Sequence, residues 1–165
     1  MITQSKIQGN AAEQSFIKAA ERNGWQFIRK AKRLEDMHQH WDFLFLDEYN
    51  EEVKIDIKAH KHTRRNGPLL NNWFWVEWAN VRGNDGWLCG SSDYIAFEYY
   101  NDWYIYDTSE LRAKCKSLVD FDKVATSAAD AEYKIYTRKN RKDQTSKVRI
   151  SDLKDIVVYI WLKLS

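Results

Sequence analysis

Val53-Lys54-Ile55-Asp56-Ile57-Lys58-Ala59 alternates apolar and polar side chains. That period belongs to a strand with one face in a core. Val53, Ile55, Ile57 and Ala59 fill the apolar face. Lys54, Asp56, Lys58 and His60 then line the other. A carboxylate and an ammonium two residues apart converge beside such a strand, where a divalent metal and a phosphate could both be held. An acid two before a lysine also occurs at Glu52/Lys54, Glu132/Lys134 and Asp152/Lys154. Only Asp56 and Lys58 sit deep in an apolar alternating strand that follows another apolar strand carrying an aspartate.

The preceding apolar run, Trp41 to Leu46, contains Asp42. The polar link from Asp47 to Glu52 is short, which predicts an antiparallel hairpin. With its centre at Tyr49 and Asn50, Asp42 falls opposite Asp56, Leu44 opposite Lys54 and His40 opposite Lys58. Directly opposed residues on one face have Cβ atoms about 5 Å apart. Two carboxylates that close raise one pKa unless a cation lies between them. A hard divalent ion with oxygen ligands, magnesium above all, relieves the repulsion.

Composition bounds the answer. The chain has 165 residues, 44% hydrophobic and 30% charged, enough for one domain with a real core. The expectation is a single domain over 1–165. A formal charge of +2 does not announce a nucleic-acid binder, but local fields matter more than sums. Basic clusters occur at Arg29-Lys30-Ala31-Lys32-Arg33, at His60 to Arg65 with Arg64 and Arg65, and at Arg138-Lys139-Asn140-Arg141-Lys142. Each alone reads as a solvated loop; three beside one acidic centre point to a phosphate backbone. Cys89 and Cys115 make no disulfide framework. No leader pattern or bilayer-length apolar stretch is evident, so the chain is expected to be soluble, away from membranes, in a reducing cytoplasm.

The pattern predicts a helix from Ser5 to Asn23 with Ile7, Ala12, Phe16, Ala19 and Ala20 near one stripe. Strands follow at Trp25 to Ile28, Trp41 to Leu46, Val53 to Ala59 and Trp73 to Trp78. A second hairpin joins Tyr94 to Tyr100 with Trp103 to Tyr106. Ser109 to Leu118 reads as a helix, and Tyr133 to Thr137 and Lys147 to Ile150 as short strands. Ser151 is expected to cap a final helix carrying Leu153, Ile156, Val157, Ile160 and Leu164. The fold class is therefore α+β or mixed α/β, a central mixed sheet flanked by helices.

Asp42, Asp56 and Lys58, with Glu13 in Gly9-Asn10-Ala11-Ala12-Glu13-Gln14, resemble the active site of the PD-(D/E)XK nuclease superfamily. The order from Trp75 through Glu98 to Tyr136, Arg138, Arg141, Lys142 and Asp143 looks like that of small phage-encoded members. The resemblance implies a restriction-endonuclease-like core and a DNA endonuclease dependent on Mg2+ or Mn2+. Asp42 and Asp56 would be metal ligands, the Ile57 carbonyl a third oxygen, and Glu13 a direct or water-mediated one. Gln14 and Glu21 are possible substitutes for Glu13. Lys58 would orient the attacking water. Trp41 stands where proline often precedes the first aspartate. Arg64, Arg65, Arg138, Lys139, Arg141 and Lys142 are the expected DNA contacts.

Two outcomes stay open within that class: a site-specific double-strand cutter of homing type, and a Holliday junction resolvase or other structure-selective nuclease. Both usually act as symmetric homo-oligomers. A non-catalytic DNA-binding module on a nuclease core is the rival, though it would be expected to have lost one of the four site residues. His38, His40, His60 and His62 form two His-x-His pairs that the hairpin would bring to one end of the sheet. Zinc binding is one reading; for His60, phosphate binding or proton shuttling is another; plain exposed loop histidines are the ordinary one. Glu77 is an accessory acid or a structural carboxylate. Most tryptophans should be core, with Trp87 in a glycine-rich loop the candidate for stacking on a base.

Overall fold

The computed structural model describes residues 4–163. In chain order its elements are α1 (Gln4–Arg22), β1 (Gln26–Lys30), α2 (Arg33–Gln39), β2 (Phe43–Leu46), β3 (Glu52–Lys58), β4 (Trp73–Ala79), β5 (Tyr94–Tyr99), β6 (Asp102–Asp107), α3 (Thr108–Leu118), β7 (Gln144–Arg149) and β8 (Val157–Leu162). Short 3-10 turns at Trp87–Cys89, Ala128–Asp130 and Ile150–Leu153 punctuate the loops. This is a mixed α+β fold of the class expected. Its contacts group into two compact units. One comprises Met1–His60, Ser91–Asp107 and Val157–Ser165; the other Lys61–Gly90 and Thr108–Ile156.

The first unit holds a six-stranded sheet in the order β1-β2-β3-β5-β6-β8. All neighbours are antiparallel except β3 and β5, which run parallel. A parallel pair needs a long crossover, and residues 59–93 supply it. The β2–β3 hairpin has the register expected, Phe43 opposite Ile55 and Leu44 opposite Lys54. Its turn is closed by Asp47, whose Oδ1 accepts the Tyr49 and Glu51 amides at 2.9 Å. Asn50 takes the left-handed conformation there, φ 62°, which asparagine tolerates.

Helix α1 lays its apolar stripe on one face of this sheet. Phe16 is fully buried and meets Phe45, Trp103 and Trp161 at 5.2–5.8 Å between ring centres. Trp25, Phe43, Val53, Ile55, Ile57, Ala96 and Ile105 complete that core. The helix ends where Gly24 adopts φ +87° and Asn23 returns hydrogen bonds to the Ala19 carbonyl from both its amide and its side chain.

The second unit is built on a two-stranded antiparallel sheet, β4 with β7. Phe74, Val76, Trp78 and Val148 face inward, and the Trp78 indole donates to Ser146 Oγ at 3.0 Å. Trp73 and Trp75 are only half-buried, against the expectation that they are core. The Arg149 guanidinium lies 4.7 Å over Trp73, and the Lys147 ammonium 5.7 Å over Trp75. In this unit Arg112 of α3 holds the Trp87–Cys89 turn, donating to the carbonyls of Leu88 and Gly90 at 2.8 and 2.9 Å.

Three local expectations are corrected, and one unexpected helix is added. The final helix is absent: Leu153 ends a 3-10 turn, and Val157–Leu162 is a strand on β6. Its run of β-branched and aromatic residues suits a pleated surface, and pairing with β6 overrides helical spacing that was coincidental. Leu164 lies outside the described residues, as does the side chain of Ile7. Tyr133 to Thr137 makes only isolated bridges, Ile135 with Val124 and Tyr136 with Thr145. Helix α2 was not expected, because its Leu34 and Met37 face solvent and leave no apolar stripe. Strand β2 begins at Phe43, so Asp42 just precedes it, though its amide still donates to the Ile55 carbonyl at 2.8 Å.

Truncating Phe16 to alanine should destabilise the chain by about 3–5 kcal/mol, the range for deleting a fully buried aromatic ring. Chemical denaturation of the wild type and the Phe16→Ala variant checks this. A loss below about 1 kcal/mol would mean α1 does not close this core.

Candidate functional site

Everything about the candidate centre follows from the two faces of β3. Ile55 and Ile57 point into the core under α1, so Asp56 is forced to the opposite face. That face is also covered at this point: Asp56 is 3% exposed. Lys58, two residues on, reaches back along the strand, and its Nζ lies 3.0 Å from Asp56 Oδ1. Asp56 Oδ2 is buried and has no hydrogen-bond partner among the described residues. A buried carboxylate oxygen left unmatched is costly.

Asp42 approaches from the other side of the hairpin. Its Oδ2 accepts the Ile57 amide at 2.7 Å, its own amide bonds to β3, and its carbonyl accepts the Ala31 amide at 2.7 Å. Three backbone ties therefore fix it. Burial pushes the Asp56 carboxyl well above the usual range; Lys58 opposes that shift and the Asp42 charge adds to it. Glu13, half-buried on α1, is raised by burial and then by Asp42, with Lys30 opposing. Glu13, Asp42, Asp56 and Lys58 thus share one electrostatic field in the first unit.

Two further groups in that field were missed by sequence reasoning. Asp36 of α2 is raised by partial burial and by Asp42, while Lys58, His40 and Lys30 oppose. Lys30 ends β1 and pairs in register with Phe43, next to Asp42. The only sequence signal for α2 was Glu35 three residues after Lys32: its carboxylate accepts the Lys32 amide at 2.8 Å at the start of the helix. The same Glu35 takes a two-pronged bond from Arg29, at 2.8 and 3.0 Å, which lowers its pKa to about 2. Arg29 is thereby committed, with its guanidinium 5.2 Å over the buried Trp41.

The histidines do not assemble as a set on the hairpin. His38 lies in α2, and His40, expected opposite Lys58, instead caps that helix in the left-handed conformation. Among the described residues no three or more His, Cys, Asp or Glu side chains are grouped to hold a metal ion. His60 lies two residues past the end of β3. Its amide donates to Glu98 Oε1 at 3.0 Å, and its Nδ1 accepts the Tyr100 amide at 3.2 Å. Accepting that bond places the ring proton on Nε2. Tyr99 and Tyr100 flank the ring at 5.1 and 4.8 Å.

The other expected residues belong to the second unit. Arg64 and Arg65 sit exposed at the tip of a tight loop closed by the His62–Leu69 bridge and by the Gly67 amide on the Arg64 carbonyl. Arg138 is tied down: its Nε donates to Asp143 Oδ2 at 2.7 Å and its amide to Oδ1 at 3.1 Å, with Asp143 only 1% exposed. Lys139, Arg141 and Lys142 remain exposed on the same turn. Glu77 accepts the Trp87 amide at 3.4 Å. A Cβ at Gly86 would lie 2.5 Å from the Glu77 carbonyl oxygen, so this close approach requires glycine. Glu77 thus has a structural task, and Trp87 is partly covered rather than presented.

Neither a protein-family model nor a curated protein matches the chain. A solved structure does. It is that of a bacterial homing endonuclease, I-Ssp6803I, 19% identical, with a TM-score of 0.46 over 67% of this chain and 74% of that one. No helix among the described residues is long and apolar enough to cross a membrane.

The raised Asp56 carboxyl makes a testable link between site and stability. A carboxyl whose folded pKa lies above its unfolded value favours the folded state at low pH. That contribution is lost as pH rises through the folded pKa. Asp56→Asn removes the titration but keeps the shape. Without divalent ions the variant should melt above the wild type, by a margin that widens as pH rises from the unfolded carboxyl value of about 4 toward the raised folded one. Thermal melts over that range decide it; a variant that melts lower throughout would show that Asp56 is stabilising as an ordinary ion pair.

Proposed function

We propose that the chain is a divalent-metal-dependent DNA endonuclease whose centre is Asp42, Asp56, Lys58 and Glu13. The observation that carries this reading is the buried, unmatched Asp56 Oδ2 beside Asp42, with Lys58 at 3.0 Å on the other oxygen. A carboxylate placed where its ionised form is penalised, next to a second carboxylate, suits a hard cation that replaces a proton. Asp42 and Asp56 would hold Mg2+ or Mn2+ together with the Ile57 carbonyl, and Glu13 would act through water, since among the described residues no third acidic side chain is grouped with the two aspartates for direct ligation. Such an ion lowers the pKa of bound water and neutralises phosphate charge.

The chain's own groups have separate tasks in this reading. Lys58 holds Asp56 in place, and its ammonium orients the attacking water and balances charge building on the phosphate oxygens. Glu13 hydrogen-bonds that water. His60 donates from Nε2 to a phosphate oxygen. With Nδ1 accepting the Tyr100 amide, Nε2 already carries the ring proton and has no lone pair to take up another, which favours donation to phosphate over proton shuttling. Arg64, Arg65, Lys139, Arg141 and Lys142 contact the DNA backbone. A site-specific cutter of homing type remains the preferred form, and cleavage compared on linear duplex and four-way junction separates it from a resolvase. A non-catalytic DNA-binding module disagrees with a site in which all four residues are retained.

Asp56→Asn and Lys58→Ala should each lower cleavage at least about a hundredfold while leaving DNA binding near wild type, with Asp56→Asn folding at least as stably as the wild type and Lys58→Ala less stably because it removes the ion partner of a buried carboxyl. Activity should require magnesium or manganese, with calcium supporting binding but not efficient cutting. Near-wild-type cutting by either variant, or full activity in excess chelator, would sink the assignment.

The basic turn yields a divided expectation. Arg141→Ala should weaken DNA binding and reduce the slope of log affinity against log salt by about one. Arg138→Ala should cost about 1 kcal/mol of stability, since it removes the cation from a buried Asp143 that keeps only the residue-138 amide on its other oxygen, discounted because Arg138 is itself half-exposed. Binding titrations at several salt concentrations, with denaturation of both variants, check this. Equal slopes for wild type and Arg141→Ala would make the turn an ordinary solvated surface.

A further inference from the structure

The core of the second unit draws on one face of its ribbon. Phe74, Val76, Trp78 and Val148 are buried there. Alternation puts Trp73, Trp75 and Glu77 on the other face, where β7 sets Arg149 opposite Trp73, Lys147 opposite Trp75 and Thr145 opposite Glu77. Both tryptophans stay partly exposed. Two more rings join them from the segment bridged to β7: Tyr133 lies 5.4 Å from Trp73, and Tyr136 lies 6.1 Å from Trp75. Lys147 reaches between the tryptophans, its Nζ 5.7 Å over Trp75 and donating to the Ala129 carbonyl at 3.2 Å. The exposed Arg149 lies 4.7 Å over Trp73. Among the described residues neither cation forms an ion pair, unlike Lys134 and Arg138 of the same unit. The nearby acids are engaged: Asp152 accepts the Tyr133 hydroxyl, and Glu77 accepts the Trp87 amide. Further charge stands at the ribbon's other end, where the turn carrying Lys139, Arg141 and Lys142 leads into Gln144, opposite Ala79. A cationic run thus follows the seven residues of β4, roughly 20 Å, from that turn to Arg149.

We propose that this face is a binding site for single-stranded nucleic acid, with unpaired bases stacked at Trp73 and Trp75 and phosphates held by Arg149 and by the turn at the other end of the ribbon. Aromatic rings alone would suit a sugar as well as a base. Cations without carboxylate partners select a polyanion, and a polyanion with flat faces is a nucleic acid. Spacing selects the single strand. Residues two apart on a strand stand about 7 Å from each other, whereas stacked bases follow one another at about 3.4 Å along each strand of a duplex. Neighbouring bases reach both tryptophans only when they are unstacked. Guanidinium planes also carry bases, so Arg149 extends the platform at Trp73. Lys147, only 6% exposed, acts through its field, which makes the ring surface attractive to an anion.

The site lies wholly in the second unit and needs no metal, so it and the nuclease reading fail separately. Fluorescence anisotropy of a labelled oligo-dT of about 12 nucleotides, in chelator, should show saturable binding to the intact chain. A parallel series with oligo-rU tells whether DNA or RNA is the preferred strand. An abasic oligomer of equal length should bind at least about tenfold more weakly than the preferred strand, since it keeps the phosphates and lacks the stacking faces. Trp73→Ala and Arg149→Ala should each weaken binding of that strand about tenfold and leave duplex binding near wild type. Trp73→Tyr keeps a flat ring and should stay within about threefold of wild type. Arg149→Ala changes an exposed side chain and serves if Trp73→Ala does not fold. An Asp56→Asn chain should bind the strand as wild type does while losing cleavage. Equal affinity for the abasic oligomer, binding of a neutral oligosaccharide in place of both strands, or affinity unchanged in Arg149→Ala and Trp73→Ala, overturns the proposal.

Discussion

The structure depends on where β3 puts Asp56. The strand is central, with β2 on one side and β5 on the other, and its two faces are committed to opposite purposes. Ile55 and Ile57 fill the space under α1 and cannot be rotated out without opening the core. The alternation of a strand therefore fixes Asp56 and Lys58 on the other face with no freedom of register. A one-residue slip would drive a carboxylate and an ammonium into the aromatic cluster around Phe16. The largest hydrophobic cluster and the most strained electrostatics thus enforce each other through one backbone.

That arrangement stores a cost. Asp56 is buried with one oxygen on Lys58, while the other has no donor unless the carboxyl shares a proton with its neighbour Asp42. A purely structural ion pair would satisfy both oxygens or lie nearer water, as Arg29–Glu35 does with its two-pronged geometry and a carboxyl pKa near 2. The contrast between these pairs in one unit is informative. Glu35 has been settled by its surroundings; Asp56 has been left unsettled while its neighbours Asp42 and Lys58 are held in place. Local cost borne by a well-supported frame is the usual mark of a functional group.

How much of this was legible in the sequence depended on range. The β2–β3 register could be read because a short polar turn and strict alternation are both local, and Asp42, Asp56 and Lys58 followed from it. Helix α1 was legible from its stripe. Helix α2 was not, since a seven-residue helix with exposed Leu34 and Met37 carries no amphipathic signal, and Asp36 was lost with it. Strand β8 was misread because Ile156, Val157 and Ile160 happen to keep helical spacing. What decides its state is pairing with β6, more than fifty residues earlier in the chain, which no local window contains. The expectation for His40 failed for a related reason: α2 ends there with a left-handed cap, so the strand that would have carried it starts three residues later.

The basic turn shows how a run of like charges is divided once it folds. Arg138, Lys139, Arg141 and Lys142 look equivalent in the sequence. The turn through Asn140, at φ 61°, brings Asp143 back under Arg138, and the buried carboxylate captures one guanidinium and its backbone amide together. Thr137 adds a bond from its hydroxyl to the Asp143 carbonyl at 2.7 Å. The loop is thereby stiffened by its first cation, and the remaining three are displayed from a fixed base. A phosphate ligand gains from such pre-organisation, because less side-chain and backbone freedom is lost when it binds. One charge committed to shape leaves the others displayed, so the net charge of a segment says less about its surface than the fate of each cation in it.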